Sequence, residues 1–300
     1  MIPDRISDNK MEWDGKSKGT KSGYAIFISL LKVGLSPAYV LLVFVAFYYC
    51  IAERKKSNIS YKFYRERIGY GRLRSFISVY RNYYIFGQSL IDRVASMSGM
   101  SHQFRITFKG ENHLTEMAEQ GKGGLLIGAH VGNWEIAGHF LYRIKVPVNI
   151  VMFDNDYEKI KEFLNSIKSE TSYKIIPIKN DFSHIYEITE ALSRGEFVCL
   201  HADRHFDNSR LIYHDFLGKP APFSEAVFRM CTLYNVPITF VYAFKMKFRR
   251  YHFYASPPKT YSGSKEEKVS SFADDYVKEL ENKTRHYPLH WFNFFDFWKS

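Results

Sequence analysis

A histidine and a carboxylate five residues apart, His130 and Glu135, are the most suggestive pair of reactive side chains in the sequence. His130 follows the apolar run 124–129, and Glu135 falls where the next helix is expected to begin. Residues five apart on one continuous helix point about 140° away from each other, so the two side chains meet only if the backbone bends between them. Gly132 permits such a bend.

Paired in this way, the two side chains have a defined chemistry. A carboxylate that accepts a hydrogen bond from one imidazole nitrogen fixes the tautomer and raises the basicity of the other nitrogen. The sequence has no G-x-S-x-G motif, and Cys50, Cys199 and Cys231 have no obvious histidine-centred setting. We therefore expect His130 to be a general base, oriented by Glu135, that activates a hydroxyl directly and without a covalent enzyme intermediate.

The spacing itself carries no weight. With 11 histidines and 31 acidic residues in 300 positions, about one such pair is expected by chance, and one is found. A structural histidine is the alternative interpretation. Only the position of His130 at a strand end, beside Gly132, Asn133 and Trp134, favours an active site.

A second polar group follows another apolar run. Asp203 and Arg204 come directly after the run 197–202, so they are expected at the same sheet edge as His130, where active sites of parallel sheets gather. A mutual salt bridge is the alternative to a role at the substrate. Farther along, the segment from Phe216 to Pro220 is typical of a turn whose glycine admits close backbone approach, or of an ordinary loop.

The elements that would position these residues alternate along the chain after residue 110. The predicted strands are 125–129, 148–153, 173–178, 197–201 and 238–244, and the predicted helices are 134–143, 157–168, 183–193 and 223–234. Short apolar runs that alternate with helical patterns predict an α/β fold, with a mostly parallel central sheet flanked by helices.

An apolar stretch from Tyr24 to Ile51 precedes this region. A helix needs about 20 mainly apolar residues to cross the hydrocarbon of a bilayer, and this stretch contains one charge, Lys32. Gly34 and Pro37 permit a kink, so a helical hairpin in the interface is the alternative to a span. We predict a flexible tail over 1–21, an N-terminal transmembrane or interfacial helix over 22–52, and one domain over 53–300.

The formal net charge of +11 predicts an acidic partner, which is a nucleic acid, an anionic bilayer or an acidic carrier protein. The basic residues show no recognition motif, so nucleic acid is not expected. Those between 53 and 74 place the domain in the cytoplasm by the positive-inside rule. Three widely separated cysteines suggest neither a disulfide framework nor a metal site of the C-x-x-C type.

The block Gly123-Gly-Leu-Leu-Ile-Gly-Ala-His-Val-Gly-Asn-Trp-Glu135 closely resembles the central motif of the lipid A biosynthesis acyltransferase family, of lauroyl and myristoyl type, within the lysophospholipid acyltransferase superfamily. Other segments resemble the family in the same order: the N-terminal apolar helix, 80–83, 108–112, 203–204, 216–218 and 288–298. The resemblance covers most of residues 24–298.

This resemblance implies a glycerolphosphate acyltransferase-like fold and a catalytic His130 and Glu135 dyad. It also implies an acyl thioester donor, usually acyl carrier protein, a lipid acceptor in the bacterial inner membrane and a site that faces the cytoplasm. Neither a cofactor nor a metal is implied. The expected substrate-binding residues are Gly132, Asn133, Trp134, Asp203, Arg204, Phe216 and Gly218.

Two departures from the family leave the identity of the acceptor lipid open. Asp203-Arg204 stands where the lipid A enzymes have Asp-Gln, and residues 144–193 contain no arginine, although many members of the family carry one in this segment. Lipid A, glycolipids, amino-acid lipids and pigment lipids are the candidates. Two other functions remain alternatives. One is a metal-dependent hydrolase of lipid phosphates centred on His201, Asp203 and His205, and the other is a non-catalytic membrane adaptor with the same fold.

Overall fold

The computed structural model describes residues 34–133, 136, 144–153, 173–178, 181, 183–205 and 209–299. The predicted tail over 1–21, the first part of the predicted N-terminal helix and the predicted helix over 157–168 lie outside the described residues. Of the predicted helix over 134–143, only Ile136 is described, and it is helical.

Seven of the described strands form one sheet in the order β1-β9-β8-β2-β5-β3-β4. Their bounds are Arg105–Lys109 (β1), Gly124–Gly128 (β2), Val148–Phe153 (β3), Tyr173–Ile178 (β4), Phe197–His201 (β5), Ile238–Lys247 (β8) and Arg250–Ala255 (β9). Neighbours run parallel except for the antiparallel pair β8 and β9. The predicted α/β fold with a mostly parallel sheet is therefore confirmed.

The described helices cover this sheet. They are α1 (Leu35–Ala52), α2 (Arg54–Lys62), α3 (Arg72–Ala95), α4 (Glu111–Glu119), α5 (Ser183–Ser193), α6 (Glu225–Leu233) and α7 (Lys265–His286). A short 3₁₀ helix, Pro288–His290, follows α7. The amphipathic α7 begins at a capping box between Ser264 and Glu267, and buries Phe272 and Tyr276 against the sheet.

The apolar run 124–129 supplies the central strand β2, which is enclosed on all sides. All five of its residues are buried, because β5 and β8 pair with its two edges and helices cover its faces. Its register pairs Gly128 with His201 of β5, so the two strands end together. This common end is where the site lies.

A separate antiparallel hairpin, β6 (Leu211–Phe216) with β7 (Lys219–Ser224), precedes α6. The prediction of a helix over 223–234 was wrong at its start, because Phe223 and Ser224 complete β7 and α6 begins at Glu225. An apolar run cannot by itself distinguish a buried strand end from the first turn of a helix.

Helix α1 is the one described helix that is long and apolar enough to cross a membrane, with a mean hydropathy of 2.0 over 18 residues. It packs against α3 at close range, since a Cβ atom placed on Gly87 would lie 2.4 Å from Cδ1 of Leu42. Small residues at such crossings let two helix backbones approach. The inner face of α1 is thus joined to the domain, while many apolar side chains on its outer face are exposed.

Candidate active site

His130 lies in the turn that follows β2, and the carboxylate nearest to it belongs to Asp203, which follows β5. Asp203 accepts two hydrogen bonds from this one residue. The backbone N–H of His130 donates to Oδ2 at 2.9 Å, and its ring Nδ1 lies 2.9 Å from Oδ1. The Asp203 side chain is 3% exposed and the His130 ring 30% exposed, so the carboxylate is enclosed and the imidazole reaches the surface.

The charges around Asp203 decide the tautomer of His130. Burial alone would raise the pKa of Asp203, but His130, His201 and Arg204 outweigh burial and hold it well below its usual range. An ionised carboxylate accepts only, so Nδ1 of His130 must carry the proton that it donates to Asp203. The other ring nitrogen, Nε2, is then the one that is free of a proton and able to act as a base.

Arg204 lies beside the same imidazole nitrogen, with Nε 3.2 Å from Nδ1 of His130. A ring nitrogen that bears a proton cannot also accept a hydrogen bond. In the tautomer assigned above, the contact between Nε of Arg204 and Nδ1 of His130 is therefore not a hydrogen bond. The guanidinium instead places a fixed positive charge next to Asp203, and its Cζ atom lies 5.2 Å from the ring centre of Phe295.

A second histidine, His201, contacts the ring of His130 edge to face, with the ring centres 4.6 Å apart. Burial, together with the charges of His130 and Arg204, lowers the pKa of His201 to about 3. His201 is therefore neutral near pH 7. Potential ligand atoms of His130, His201 and Asp203 lie within 4.8 Å of one another, so the possible metal ligands that converge here include His130 and not the expected His205.

The turn after His130 bends at Gly132, whose φ is +85°. A Cβ atom at this position would lie 2.2 Å from the carbonyl oxygen of Ala243, so a side chain does not fit. The turn is held by its backbone. Gly132 donates to the carbonyl of His290 at 2.8 Å, and Phe292 donates to the carbonyl of His130 at 3.1 Å.

Asn133 is buried and makes hydrogen bonds in three directions. Its side-chain Oδ1 accepts from the backbone N–H of Ile136 at 3.3 Å, the spacing of an N-cap, while Nδ2 donates to the carbonyl of Ser89 and the hydroxyl of Tyr251, each at 3.2 Å. Its role in substrate binding stays a prediction. Trp134 and Glu135 lie outside the described residues, and their roles also stay predictions.

Phe216 precedes the tight turn of the β6–β7 hairpin, and Gly218 is the second residue of that turn. Leu217 and Gly218 both have positive φ, +54° and +77°, the pattern of a two-residue type I′ turn. Phe216 is fully buried, with its ring centre 5.6 Å from that of Trp291. Because Trp291 bridges to Val131 through the backbone, the hairpin connects through this one residue to the turn that bears His130.

Two rings of the aromatic C-terminal segment, Trp291 and Phe297, are buried in the core. Trp298, at the end of this segment, donates from Nε1 to the carbonyl of Phe216 at 3.2 Å. These rings therefore pack inside the domain.

A comparison with protein-family models matches residues 78–300 to the bacterial lipid A biosynthesis acyltransferase family. The chain belongs to this family. The match spans most of the chain and includes the turn that bears His130, Asp203 and the C-terminal segment. A search of curated proteins found no match. The chain is therefore an acyltransferase of the lipid A type, which confirms the predicted enzyme class and argues against the adaptor.

Within this acyltransferase, the sequence missed the contribution of His290. Its backbone carbonyl holds Gly132, and its Nε2 lies 2.9 Å from the carbonyl of Lys245 in β8. Burial lowers the pKa of His290 to about 4, so the ring is neutral and Nε2 is the N–H donor. The only sequence signal was that 288–298 resembles the family, which does not say what the segment contacts.

Proposed function

We propose that this acyltransferase moves an acyl chain from an acyl thioester to a hydroxyl group of a membrane lipid, with His130 as the general base. The observation that carries the proposal is the contact between Nδ1 of His130 and the enclosed Asp203 at 2.9 Å. It commits one ring nitrogen to a carboxylate and leaves Nε2, on a partly exposed ring, to face the acceptor.

The proposed reaction balances without a further reactant. Nε2 removes the proton of the acceptor hydroxyl as its oxygen attacks the thioester carbonyl, which forms the C–O bond and a tetrahedral oxyanion. Collapse of this intermediate breaks the C–S bond, and the imidazolium returns the proton to the departing thiolate. Asp203 stabilises the imidazolium between these two steps, because its negative charge lies in contact with the ring.

Two carboxylates are assigned to one histidine in this proposal. Asp203 is the carboxylate in contact with Nδ1, the position that the sequence assigned to Glu135. Glu135 lies outside the described residues, and its predicted role as the carboxylate that orients His130 stays a prediction. Arg204 supplies positive charge at the same place and is proposed to assist the oxyanion.

The charge of the chain supports the partners. A net charge of +11 suits both acyl carrier protein, the proposed donor, and the anionic surface of the bacterial inner membrane. Basic residues Arg54, Lys55, Lys56, Arg72 and Arg74 are exposed near the C-terminal end of α1 and the start of α3. We place this basic side on the cytoplasmic leaflet.

The apolar outer surface of α1 supports membrane attachment. Its exposed large side chains are Val40, Leu41, Val43, Phe44, Val45, Phe47, Tyr48, Tyr49 and Ile51, and Leu73, Phe76 and Ile77 of α3 are exposed as well. Helix α3 packs along α1 and is also bonded, through the carbonyl of Ser89, to Asn133 in the turn after β2. Because one side of α1 is packed against its own domain, α1 is better suited to lie along the membrane–water interface than to cross the bilayer.

The test uses two His–Asp pairs of the same chain. His130→Ala and Asp203→Asn are expected to lower transfer from acyl carrier protein to a lipid by about 10²- to 10⁴-fold. The matched control is the pair of half-buried His214 and exposed Asp274, whose Nδ1 and Oδ1 atoms are 3.1 Å apart. His214→Ala and Asp274→Asn should leave transfer unchanged.

The acceptor is identified by lipid mass spectrometry of cells that express the protein or its His130→Ala variant. The species that loses one acyl mass in the variant names the acceptor. Wild-type transfer rates in a folded, membrane-bound His130→Ala protein would refute the mechanism.

A metal-dependent lipid phosphate hydrolase is the second candidate, because possible ligands of His130, His201 and Asp203 converge within 4.8 Å. The guanidinium of Arg204 beside Nδ1 of His130 opposes a cation there. Treatment with a chelator distinguishes the two functions. Acyl transfer that survives chelation supports the acyltransferase mechanism, whereas phosphate release that requires added Zn²⁺ or Mn²⁺ supports the hydrolase.

A further inference from the structure

A buried carboxylate in α3, Asp92, lies at the centre of a polar network away from His130. The side chain of Asp92 is fully buried and accepts hydrogen bonds from Tyr39 of α1, Lys245 of β8 and Tyr251 of β9. Nζ of Lys245 also donates to the hydroxyl of Tyr39 at 2.9 Å. Four elements of the fold therefore meet at one carboxylate.

The ion pair at the centre has no access to water. The Lys245 side chain is 3% exposed, and its ammonium lies 4.8 Å and 5.1 Å from the ring centres of Tyr39 and Tyr251. Burial raises the pKa of Asp92 and lowers the pKa of Lys245, while the contact between the two charges opposes both shifts. An enclosed pair of this kind contributes little net stability compared with apolar packing, so its presence calls for another explanation.

One arm of the network reaches the catalytic turn. The hydroxyl of Tyr251 donates to Asp92 and accepts from Nδ2 of Asn133 at 3.2 Å. Asn133 in turn caps the backbone N–H of Ile136 and donates its own N–H to Ala243 at 2.7 Å. Asn133 is only three positions after His130 in the chain, so the rotamer of its amide influences where the turn places the base.

The other arm reaches the apolar helix. Tyr39 projects from the inner face of α1, and its ring contacts that of Phe248 edge to face at 5.3 Å between centres. Its hydroxyl donates to the same carboxylate that holds Tyr251. The two phenols make the same kind of bond to Asp92, but only the Tyr251 arm contacts the catalytic turn among the described residues.

We propose that Asp92 is a positioning residue for acyl transfer, which acts through Tyr251 on Asn133 and thereby orients the turn that bears His130, while Tyr39 ties this arrangement to α1. The proposal rests on the proposed function of His130. It assigns to the buried ion pair the role of fixing one arrangement of the turn, which is a recognised use of buried polar groups.

The test compares two substitutions that each delete one phenol hydroxyl from Asp92. Tyr251→Phe removes the bond to Asp92 and the tie to Asn133, whereas Tyr39→Phe removes a bond to Asp92 and leaves that tie in place. Both leave the ion pair itself intact, because deleting one of two buried charges is strongly destabilising. The thermal stabilities of the two variants should be lowered to a similar extent.

Hydrogen exchange of a peptide covering residues 129–136 is measured in the full-length protein in detergent. Tyr251→Phe is expected to speed exchange there, and Tyr39→Phe is not. The kcat for transfer should fall about tenfold in Tyr251→Phe with KM unchanged, since small displacements of a catalytic group cost rate. Equal changes in the two variants, or none in Tyr251→Phe, would overturn the proposal.

A second variant covers the case in which Tyr251→Phe does not fold. Asn133→Ser retains an oxygen that can cap Ile136 but loses the reach to Tyr251, and should reproduce the faster exchange and lower kcat. The double variant should be no worse than either single one, whereas additive losses contradict a shared path. If the wild-type protein has no transferase activity but Tyr251→Phe still exchanges faster at residues 129–136, the proposed function is refuted, while the role of Asp92 in positioning the turn is supported.

Discussion

Replacing Gly132 with alanine tests whether the bend after β2 is what places His130. The substitution has two costs that can be separated. A non-glycine residue at a φ of +85° costs about 1 kcal/mol of backbone strain. The new Cβ atom would also lie 2.2 Å from the carbonyl oxygen of Ala243, where carbon–oxygen contacts of about 3.3–3.6 Å are normal.

The second cost follows from that overlap, because the turn must shift by about 1 Å to relieve it. A shift of this size weakens the hydrogen bonds that hold the turn, from Gly132 to His290 at 2.8 Å and from Asn133 to Ala243 at 2.7 Å. Overpacking of this kind costs about 1–3 kcal/mol. A displacement of about 1 Å at a catalytic group costs on the order of 10²-fold in rate.

Gly99→Ala is the matched control. Gly99 has a φ of +83°, and a Cβ atom there would meet no described atom within 4 Å, so the control carries the strain without the overlap. Thermal unfolding in detergent and kcat for acyl transfer are measured for both variants. We expect Gly132→Ala to be the less stable by about 1–3 kcal/mol and slower by roughly 10²-fold. Equal stability of the two variants, with wild-type kcat in Gly132→Ala, would refute the reasoning.

Two further predictions concern pH and the apolar helix. The pKa of His290 is about 4 in the folded protein and about 6.5 in an unfolded chain. The unfolded chain thus binds more protons between these values, and stability falls with falling pH by up to about 1.4 kcal/mol per unit. The His290→Gln variant keeps a donor to the Lys245 carbonyl. Between pH 6.5 and 4.5, its free energy of unfolding in urea should fall by roughly 2 kcal/mol less than that of the wild type. Parallel losses would contradict this assignment. Gly87→Leu should separate α1 from α3 and expose α1 to limited proteolysis, whereas Gly87→Ala should be tolerated because the end of the Leu42 side chain can rotate. Equal cleavage of both Gly87 variants would argue against the close crossing.

Much of the frame of the site was predictable from the sequence. The runs at 148–153, 173–178 and 197–201 form strands with the predicted bounds, because a strand buried on both faces needs an unbroken apolar run. The apolar helix α1 and the helix at 183–193 were likewise predictable from the sequence. Each of these signals is local, since periodicity and turn residues act within one element.

The sequence alone determined that His130 stands at the end of a buried strand, and that a glycine follows where the chain must bend. Only the tertiary structure decided which carboxylate meets its ring. Asp203 is 73 residues away along the chain and reaches Nδ1 because β2 and β5 are paired neighbours that end together. The same holds for the network from Tyr39 to Asn133 through Asp92, which joins residues of α1, α3 and β9 to the turn after β2. No spacing rule links such residues, because sheet order and helix packing bring them together.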